Sequence, residues 1–383
     1  MYDVVAFGQM ITDPVRIESY VKALREAVQP GCVVTDIGSG TGIFALLACQ
    51  FGAGRVYAIE PNPAIYLARQ LAVANGYADR LTVVPKLSTQ VTLAERADVI
   101  ISDMRGSLPW FQQHLPSIVD ARCRLLKPGG VLIPQQDTVW VAVVSVSELY
   151  ARHVTNPWMQ NQFGLDLRAG ARLVANTPIS GRAKPEQMLS VPQPVATLDY
   201  RIIESPNITA ELMLTINQSG IGHGCLLWFS TILAGDIGFS TGPDQPRSVY
   251  GNMFFPWLAP VELSAGNTVH IMIEGTLVND QYTWRWYTQV YETGQPERTK
   301  ASFKQGTLLG RIVTPDQIRK GDDRHIPTLS EEGQVDQFVL SLMDGTRSLD
   351  AITTAVMDRF PGQFSNRNAA RGRVGKLVQR YGT

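Results

Sequence analysis

Ten residues near the start of the chain, VVTDIGSGTG at 33–42, constrain the fold more than any other stretch. They begin as an apolar run typical of a buried strand. Glycines at 38, 40 and 42 then lead into the apolar helical run IFALLACQF at 43–51. Glycine lets the backbone turn tightly and approach a ligand, and the free amides at a helix start favour a negative group. The stretch therefore predicts a strand–turn–helix unit with a ligand at the turn.

Strand and helix patterns alternate on both sides of this turn. Ahead of it, the apolar spacing of 12–27 predicts a helix, with Thr12 or Asp13 as the cap and Pro14 at an early helical position. Strands separated by helices form parallel sheets covered on both faces, so we expect a Rossmann-like α/β domain over residues 1–137. The elements expected after the turn are a strand at 55–60, a helix at 63–75, strands at 81–85 and 98–103, a helix at 115–126 and a strand within 127–134.

The pattern of apolar and turn-forming residues changes from about residue 138. Short β-rich runs separated by Gly, Pro, Asn and Asp dominate, such as TVWVAVVSVS at 138–147. Another run, YTWRWY at 282–287, alternates aromatic residues in the way that is typical of core and rim positions of a barrel strand. This spacing of strands indicates a barrel or a sandwich over residues 138–313. A weaker pattern near 164–194 is interpreted as an inserted arm.

The C-terminal part of the chain has a helical pattern. A polar linker, RKGDDR at 319–324, precedes helical patterns at 335–343, 349–360 and 367–381, the last of which is basic. We expect a small helical domain over residues 325–383, marginally stable alone because of its size.

Composition argues against several classes of function. Lysine plus arginine and aspartate plus glutamate each number 34, so no net charge draws the chain toward nucleic acid or anionic membranes. The four cysteines are scattered without a CxxC pair, which argues against structural zinc and for a reducing compartment. No apolar run approaches the roughly 20 residues that span a bilayer, and no signal-peptide pattern is present. We expect a cytoplasmic protein that binds neither metal, nucleic acid nor membrane.

An acidic residue after the second strand indicates the class of ligand. Glu60 lies 22 positions after Gly38, near the roughly 20 expected for a carboxylate that binds ribose hydroxyls. Ile43 stands where a dinucleotide-binding turn has its third glycine, and Asp36 suits a cationic group better than a pyrophosphate. S-adenosylmethionine offers an ammonium, a sulfonium and a ribose, and therefore fits these residues. A glycine-rich turn that binds no ligand is the alternative.

Short motifs across the chain resemble those of one enzyme family. DIGSGTG, AIEP, the SD that ends the fourth strand and LLKPGG resemble class I S-adenosylmethionine-dependent methyltransferases. Over residues 2–310, the sequence MITDPVR, the strand-turn GFSTGP at 238–243 and the arm segment are similar to the protein arginine methyltransferase (PRMT) family. The resemblance implies a β-barrel after the Rossmann-like domain and a homodimer formed through the arm.

The same resemblance implies a cofactor and its contacts. The cofactor is S-adenosyl-L-methionine and the product S-adenosyl-L-homocysteine. Met10 packs on the adenosine or the sulfonium, and Arg16 pairs with the methionyl carboxylate. The implied cofactor-binding residues are Met10, Arg16, Asp36, Gly38, Gly40, Glu60 and Thr89.

Two departures from the family concern the methyl acceptor. The family grips the acceptor guanidinium between two glutamates nine residues apart, and SDMRGSLPWFQQHL at 102–115 places Asp103 at the first and Gln112 at the second. The Thr-His-Trp motif of the family aligns with 248–250, which reads Ser-Val-Tyr and lacks the histidine. A guanidinium prefers bidentate carboxylates, so these departures weaken the expectation that arginine is the acceptor.

The function expected from the sequence is N-methylation of a peptide or protein side chain. Asp103 and Gln112 are the candidate catalytic residues: Asp103 would orient an amine or imidazole and accept its proton, and Gln112 would supply an amide oxygen and a donor. His114, the histidine nearest this loop, is a weaker candidate for a base, since a lone helix histidine is more often structural. A small-molecule N- or O-methyltransferase and a catalytically inactive peptide-binding partner are the alternatives.

The C-terminal helices suggest a further partner. The sequence FVLSLMDGTRSLDAITTAVMDRF at 338–360 resembles PqqD-like domains, which recognise the leader sequences of modified peptides. The resemblance implies leader-peptide recognition by this part of the chain. A helical cap with a solvated basic face is the alternative.

Overall fold

The computed structural model describes residues 3–160 and 163–382. These residues form two compact units, which divide between Arg311 and Ile312. The larger unit contains a parallel sheet and two antiparallel sheets, and the smaller unit is helical. The expected subdivision of the larger unit after residue 137 stays a prediction.

Helices and strands alternate in the first part of the larger unit. All five strands are parallel, in the spatial order β3-β2-β1-β4-β5. The predicted parallel sheet is thereby confirmed with ends shifted by one or two residues, and α1 is an additional helix. The elements are α1 (Val4–Ile11), α2 (Pro14–Ala27), β1 (Val33–Ile37), α3 (Ile43–Gln50), β2 (Arg55–Ile59), α4 (Ile65–Ala74), β3 (Leu81–Val84), β4 (Ala97–Ser102), α5 (His114–Arg124) and β5 (Leu126–Ile133).

The strand order puts the glycine turn at the middle of one sheet edge. Strand β1 pairs with β2 on one side and with β4 on the other. The order of strands therefore reverses at β1, and open α/β sheets bind ligands in the crevice at the carboxyl ends of strands where such a reversal occurs. Residues that follow β1, β2 and β4 meet at this edge.

Helix α2 begins where the capping signals predict. The Asp13 side chain accepts a hydrogen bond from the backbone N–H of Arg16 at 3.2 Å, and Pro14 occupies the first helical position. Tyr20 and Leu24 are fully buried in the core beneath the helix. The cap and this burial together fix the first turn of α2, which carries Arg16.

The remainder of the larger unit consists of antiparallel strands. One sheet has the order β7-β12-β10-β6-β8 with β11 paired to β10, and the other has the order β15-β14-β13-β9. The expected β-rich architecture is confirmed. The strands are β6 (Gln136–Val144), β7 (Ile179–Gly181), β8 (Gln193–Asp199), β9 (Ile208–Thr215), β10 (Gly220–Ala234), β11 (Ile237–Ser240), β12 (Asn252–Leu263), β13 (Thr268–Val278), β14 (Gln281–Glu292) and β15 (Gln295–Gly306).

Aromatic side chains fill the core of the antiparallel part. The ring of Phe255 packs edge-on against Trp284 and Trp286, with centroids 5.5 and 5.2 Å apart. Trp257 on the same strand is fully buried. The alternating aromatic residues of β14 therefore contribute tryptophans to the core, as the sequence analysis expects.

Short elements make up the segment between β6 and β8. They are α6 (Ser147–Tyr150), α7 (Asn156–Met159), α8 (Arg168–Ala175) and β7, which pairs with β12. This segment contains the expected arm at 164–194. Its role in a homodimer stays a prediction.

The smaller unit contains α9 (Pro315–Lys320), α10 (Glu331–Ser341), α11 (Leu349–Arg359) and α12 (Arg367–Tyr381). Val339, Val356 and Val374 meet in its core with no exposed surface. The three predicted helices are confirmed, but the expected polar linker at 319–324 begins inside α9. A capping box between Thr314 and Gln317 starts that helix. Leader-peptide recognition by this unit stays a prediction.

Helices across residues 3–160 and 163–382 are all too short or too polar to cross a membrane.

We predict that replacing Gly42 with alanine destabilises the protein more than the same change at Gly76. Both residues have positive φ, +81° and +73°, but a Cβ on Gly42 would lie 2.6 Å from the Cβ of Ala68 whereas one on Gly76 meets nothing within 4 Å. The free energy of unfolding, measured by urea denaturation, should fall by about 1 kcal/mol for Gly76→Ala and by about 2–4 kcal/mol for Gly42→Ala. Equal losses would show that contact with α4 does not require glycine at 42.

Candidate active site

The glycine turn is held by the carboxylate that follows β2. The backbone N–H of Gly40 donates to Glu60 Oε2 at 3.1 Å, and the N–H of Asn62 donates to Glu60 Oε1 at 2.8 Å. Gly38 donates to the carbonyl of Ile59 at 2.9 Å. Glu60 thus lies beside the turn at the sheet edge, as the spacing in the sequence predicts.

Neighbouring side chains lie directly against the two turn glycines. A Cβ on Gly38 would lie 2.5 Å from Cγ of Met104, and one on Gly40 would lie 2.3 Å from the ring of Phe7. Both glycines have positive φ, +72° and +54°. Only glycine combines this backbone with such close contacts. Helix α1 and the loop after β4 therefore both approach the turn.

Asp36 is a buried carboxylate just before the turn. Its Oδ2 accepts a hydrogen bond from the backbone N–H of Ala45 at 3.1 Å, near the start of α3. Burial raises the pKa of Asp36 from 3.8 to about 7, against hydrogen bonds from Ser39 and Ala45 that lower it. A cation bound next to this group would favour its ionised form.

Asp103, which follows β4, is the centre of a buried ionic network. The Nε of Arg16 donates to Asp103 Oδ2 at 2.6 Å, and the hydroxyl of Tyr250 lies 2.8 Å from Oδ2 and 2.9 Å from Oδ1. Burial by itself would raise the pKa of Asp103, but the positive charges of Arg16 and Arg105 lower it to about 2. Asp103 is therefore a carboxylate at all ordinary pH values.

Arg16 lies between the expected cofactor turn and the acceptor loop. Besides Asp103 it donates through Nη1 to the backbone carbonyl of Met10 at 3.0 Å, and its guanidinium lies 4.7 Å from the ring centre of Phe44. Met10 is half-buried. The structure thus brings Arg16, Met10 and Asp103 together, with Arg16 bound to a carboxylate of the chain itself.

Arg105 is a functional candidate that the sequence analysis did not single out. Its guanidinium is completely buried and bonds to two carboxylates, Asp103 two positions away in the sequence and the more distant Asp137. The available signal was the arginine two positions after Asp103 in a loop at the sheet edge. That signal could not identify the partner, because Asp137 lies on β6 of a different sheet.

Three other candidate residues lie in exposed or core positions. Gln112 is exposed with φ of +45°, and among residues 3–160 and 163–382 it has no hydrogen bond to Asp103. Thr89 is also exposed, in a short 3-10 turn. His114 is fully buried against Tyr200, and burial lowers its pKa to about 3. His114 is therefore a neutral core residue, which agrees with the structural role that the sequence favours over that of a base.

Tyr250, in the aligned 248–250 segment, contacts Asp103, which the sequence did not indicate. The segment lacks the family's histidine, yet its tyrosine is buried and bonds to Asp103. Asp13 holds the same segment from the other side, since its Oδ2 accepts from the N–H of Val249 at 2.7 Å. The cap of α2 and the acceptor loop are thereby connected through the turn that precedes β12.

Comparison with known families matches two parts of the chain. Residues 18–160 match the family described as ribosomal protein L11 methyltransferase (PrmA). Residues 135–285 match the family described as the arginine methyltransferase oligomerization subdomain.

Two curated proteins illustrate the similarity along the sequence. The arginine N(omega)-methyltransferase of Streptomyces achromogenes subsp. streptozoticus is 30% identical over 270 residues, which cover 69% of this chain and 74% of that protein. The probable protein arginine N-methyltransferase 6 of Arabidopsis thaliana is 31% identical over 236 residues, 59% of this chain and 54% of that protein. The chain therefore spans about half the length of the Arabidopsis relative.

Solved structures share the fold. The Trypanosoma brucei PRMT1 enzyme–prozyme heterotetrameric complex with AdoHcy matches with a TM-score of 0.70 and 22% identity, over 78% of this chain and 96% of that one. Protein arginine methyltransferase 10 of Arabidopsis thaliana also matches with a TM-score of 0.70 and 22% identity, over 79% of this chain and 97% of that one.

We predict that Asp36→Asn gains stability relative to the wild type as the pH rises. The folded-state pKa near 7 lies above the ordinary 3.8, so between these values the folded protein binds more protons and loses stability as the pH increases. The variant lacks this loss. The free energy of unfolding of each protein is measured in urea at pH 5 and at pH 8. The value for the variant minus that for the wild type should be about 2 kcal/mol larger at pH 8 than at pH 5. A difference independent of pH would show that folding leaves Asp36 ionised.

Proposed function

The chain belongs to the protein arginine methyltransferase family of S-adenosylmethionine-dependent enzymes, and we propose that it transfers a methyl group to a nitrogen of a peptide or protein side chain. The observation that carries this proposal is the buried, ionised Asp103 at the carboxyl edge of the parallel sheet. A carboxylate in that place can hold and orient an acceptor N–H beside a cofactor bound at the glycine turn.

The residues at the turn fit S-adenosylmethionine. Gly38 and Gly40 form the positive-φ turn at the carboxyl end of β1, and Glu60 beside it offers a carboxylate to a ribose diol. Asp36 offers a negative charge to the ammonium of the cofactor once it is ionised. Arg16 is the candidate partner of the methionyl carboxylate. When bound, the cofactor supplies a methyl group on a positively charged sulfur.

Arg16 connects the two halves of the proposed site. In this structure its Nε bonds to Asp103 Oδ2. Arg16 could pair with a carboxylate of the bound cofactor instead, which would release Asp103 Oδ2 toward the acceptor. Asp103 then has one oxygen free to receive an acceptor N–H.

The pKa of Asp103 defines its role. A carboxylate with a pKa of about 2 is a weak base, so we assign it to orienting the acceptor nitrogen rather than to removing its proton. Methyl transfer requires a nitrogen lone pair in line with the methyl group, and positioning supplies much of the rate. This differs from the sequence-based expectation that Asp103 accepts the proton.

Arginine is the acceptor that we propose. The two relatives described above are both named arginine methyltransferases, which weighs against the expectation drawn from Asp103 and Gln112. The name of the Streptomyces relative specifies arginine without specifying protein, so free arginine is the second acceptor to test.

The direct test is a methylation assay with peptide libraries. Libraries in which one position is fixed as arginine, lysine or histidine, together with free L-arginine, are incubated with S-adenosylmethionine and analysed by mass spectrometry. The proposal expects a mass increase of about 14 Da on the arginine library. Methylation of free arginine alone would identify a small-molecule enzyme, and no transfer with intact cofactor binding would identify an inactive partner protein.

We predict that Glu60→Ala weakens binding of S-adenosylhomocysteine about 10–100-fold, the effect of losing hydrogen bonds to a charged group. The reason is that the carboxylate would be lost both to the ribose and to the turn N–H of Gly40. Calorimetry measures the affinity. Glu95→Ala is the matched control, because Glu95 is exposed and pairs with Arg55. Equal affinities of the two variants would remove Glu60 from the cofactor site.

We predict that Asp103→Asn lowers kcat about 100-fold or more while S-adenosylhomocysteine still binds. The neutral amide keeps the shape but cannot hold a cationic acceptor by charge. Asp199→Asn, which removes a half-buried carboxylate paired with the exposed Arg201, is the control. Unchanged turnover in the folded Asp103→Asn variant would exclude this residue from the acceptor site.

A further inference from the structure

Arg105 occupies a recognition site for a guanidinium group inside the chain. Its side chain is completely buried, and each of its five N–H groups has an acceptor. The bonds are Nε to Asp103 Oδ1 at 3.3 Å, Nη2 to Asp103 Oδ1 at 3.1 Å, Nη2 to the Tyr20 hydroxyl at 2.8 Å, Nη1 to Asp137 Oδ1 at 2.8 Å and Nη1 to the Thr231 hydroxyl at 2.9 Å.

Aromatic rings complete the surroundings of this guanidinium. Its central carbon lies 5.0 Å from the ring centre of Phe229, 5.5 Å from that of Tyr250 and 5.7 Å from that of Phe239. Cations are attracted to aromatic faces at such distances. Carboxylates together with aromatic faces are what a guanidinium ligand would need, and here they are used by the chain's own Arg105.

The position of Arg105 limits how many carboxylate oxygens of Asp103 can accept hydrogen bonds from a methyl acceptor. Oδ1 receives two of the Arg105 N–H groups and lies within reach of Tyr250, while Oδ2 is held by Arg16 and Tyr250. If Arg16 leaves, one oxygen becomes available and the other stays bound to Arg105. A guanidinium binds best when both oxygens of a carboxylate receive parallel N–H bonds.

We propose that Arg105 is a specificity-determining residue that restricts the acceptor to a single hydrogen bond with Asp103. The inference rests on the proposed function, because it concerns the same acceptor site. With one oxygen of Asp103 free, a guanidinium cannot form its forked pair of bonds. The site therefore does not bind a guanidinium in preference to an amine. Gln112, exposed and uncharged, adds no second carboxylate. The acceptor class then extends to side chains with a primary amine.

The test is equilibrium binding of two small probes to the full chain saturated with S-adenosylhomocysteine. The probes are Nα-acetylarginine amide and Nα-acetyllysine amide, and calorimetry or ligand-observed NMR gives their affinities. The wild type should favour the arginine probe by no more than about threefold. The double variant Arg105→Met/Asp137→Asn removes the internal guanidinium with its second carboxylate, and should raise the preference for the arginine probe about tenfold, since a guanidinium can then form two parallel charged bonds where an ammonium forms one.

A charge-balanced control removes an ion pair outside the site. Arg124→Met/Asp120→Asn deletes the pair between Arg124 and Asp120 on α5 and should leave the arginine-to-lysine ratio as in the wild type. If the first double variant does not fold in a thermal melt, Arg105→Lys takes its place. Lysine has three donors instead of five, and should raise the ratio about threefold.

Several outcomes overturn the inference. An arginine preference that is already above tenfold in the wild type, or that does not change in the Arg105 variants, shows that Arg105 does not limit recognition. Binding of neither probe to any form overturns it too, since the variants leave Asp103 open. Failure of the proposed function is a separate result, because it is seen as absent methyl transfer while these binding ratios remain measurable.

Discussion

The buried ionic network around Asp103 connects the parts of the molecule that must meet for methyl transfer. Arg16 reaches it from α2, Arg105 from the loop after β4, Asp137 from β6 and Tyr250 from the segment before β12. Removing charges from water is expensive, and such a group persists only where partners and hydrogen bonds satisfy it. Here two guanidinium groups meet two carboxylates. The neutral balance lets the parallel and antiparallel sheets join through a polar contact.

The hydrogen-bonded network around Asp103 lies where the parallel sheet meets an antiparallel sheet. The cofactor turn belongs to the parallel sheet, whereas Asp137 and Thr231 belong to an antiparallel one. A change at either side alters the hydrogen bonds available to Asp103. In the proposed function, recognition of the acceptor therefore depends on residues from both sheets, while the proposed cofactor contacts depend mainly on one βα turn and its neighbour.

Local signals in the sequence were sufficient for much of the fold. Asp13 and Pro14 mark the start of α2, where the structure begins the helix. The signals were weaker where structure depends on distant contacts. His114 lies on a helix near the acceptor loop, but it is buried against Tyr200 from a distant part of the chain.

The sequence by itself determined the alternation of strands and helices, the glycine turn and the carboxylate of Glu60, because periodicity and short-range spacing control these features. It also located Asp103 at the end of β4. Only the tertiary structure decided what surrounds that carboxylate. Tyr20, Arg105, Asp137, Thr231 and Tyr250 are brought together by sheet packing across 231 positions of sequence. No local pattern records the partners of Arg105 on β6, β10 and α2, because they come from other elements.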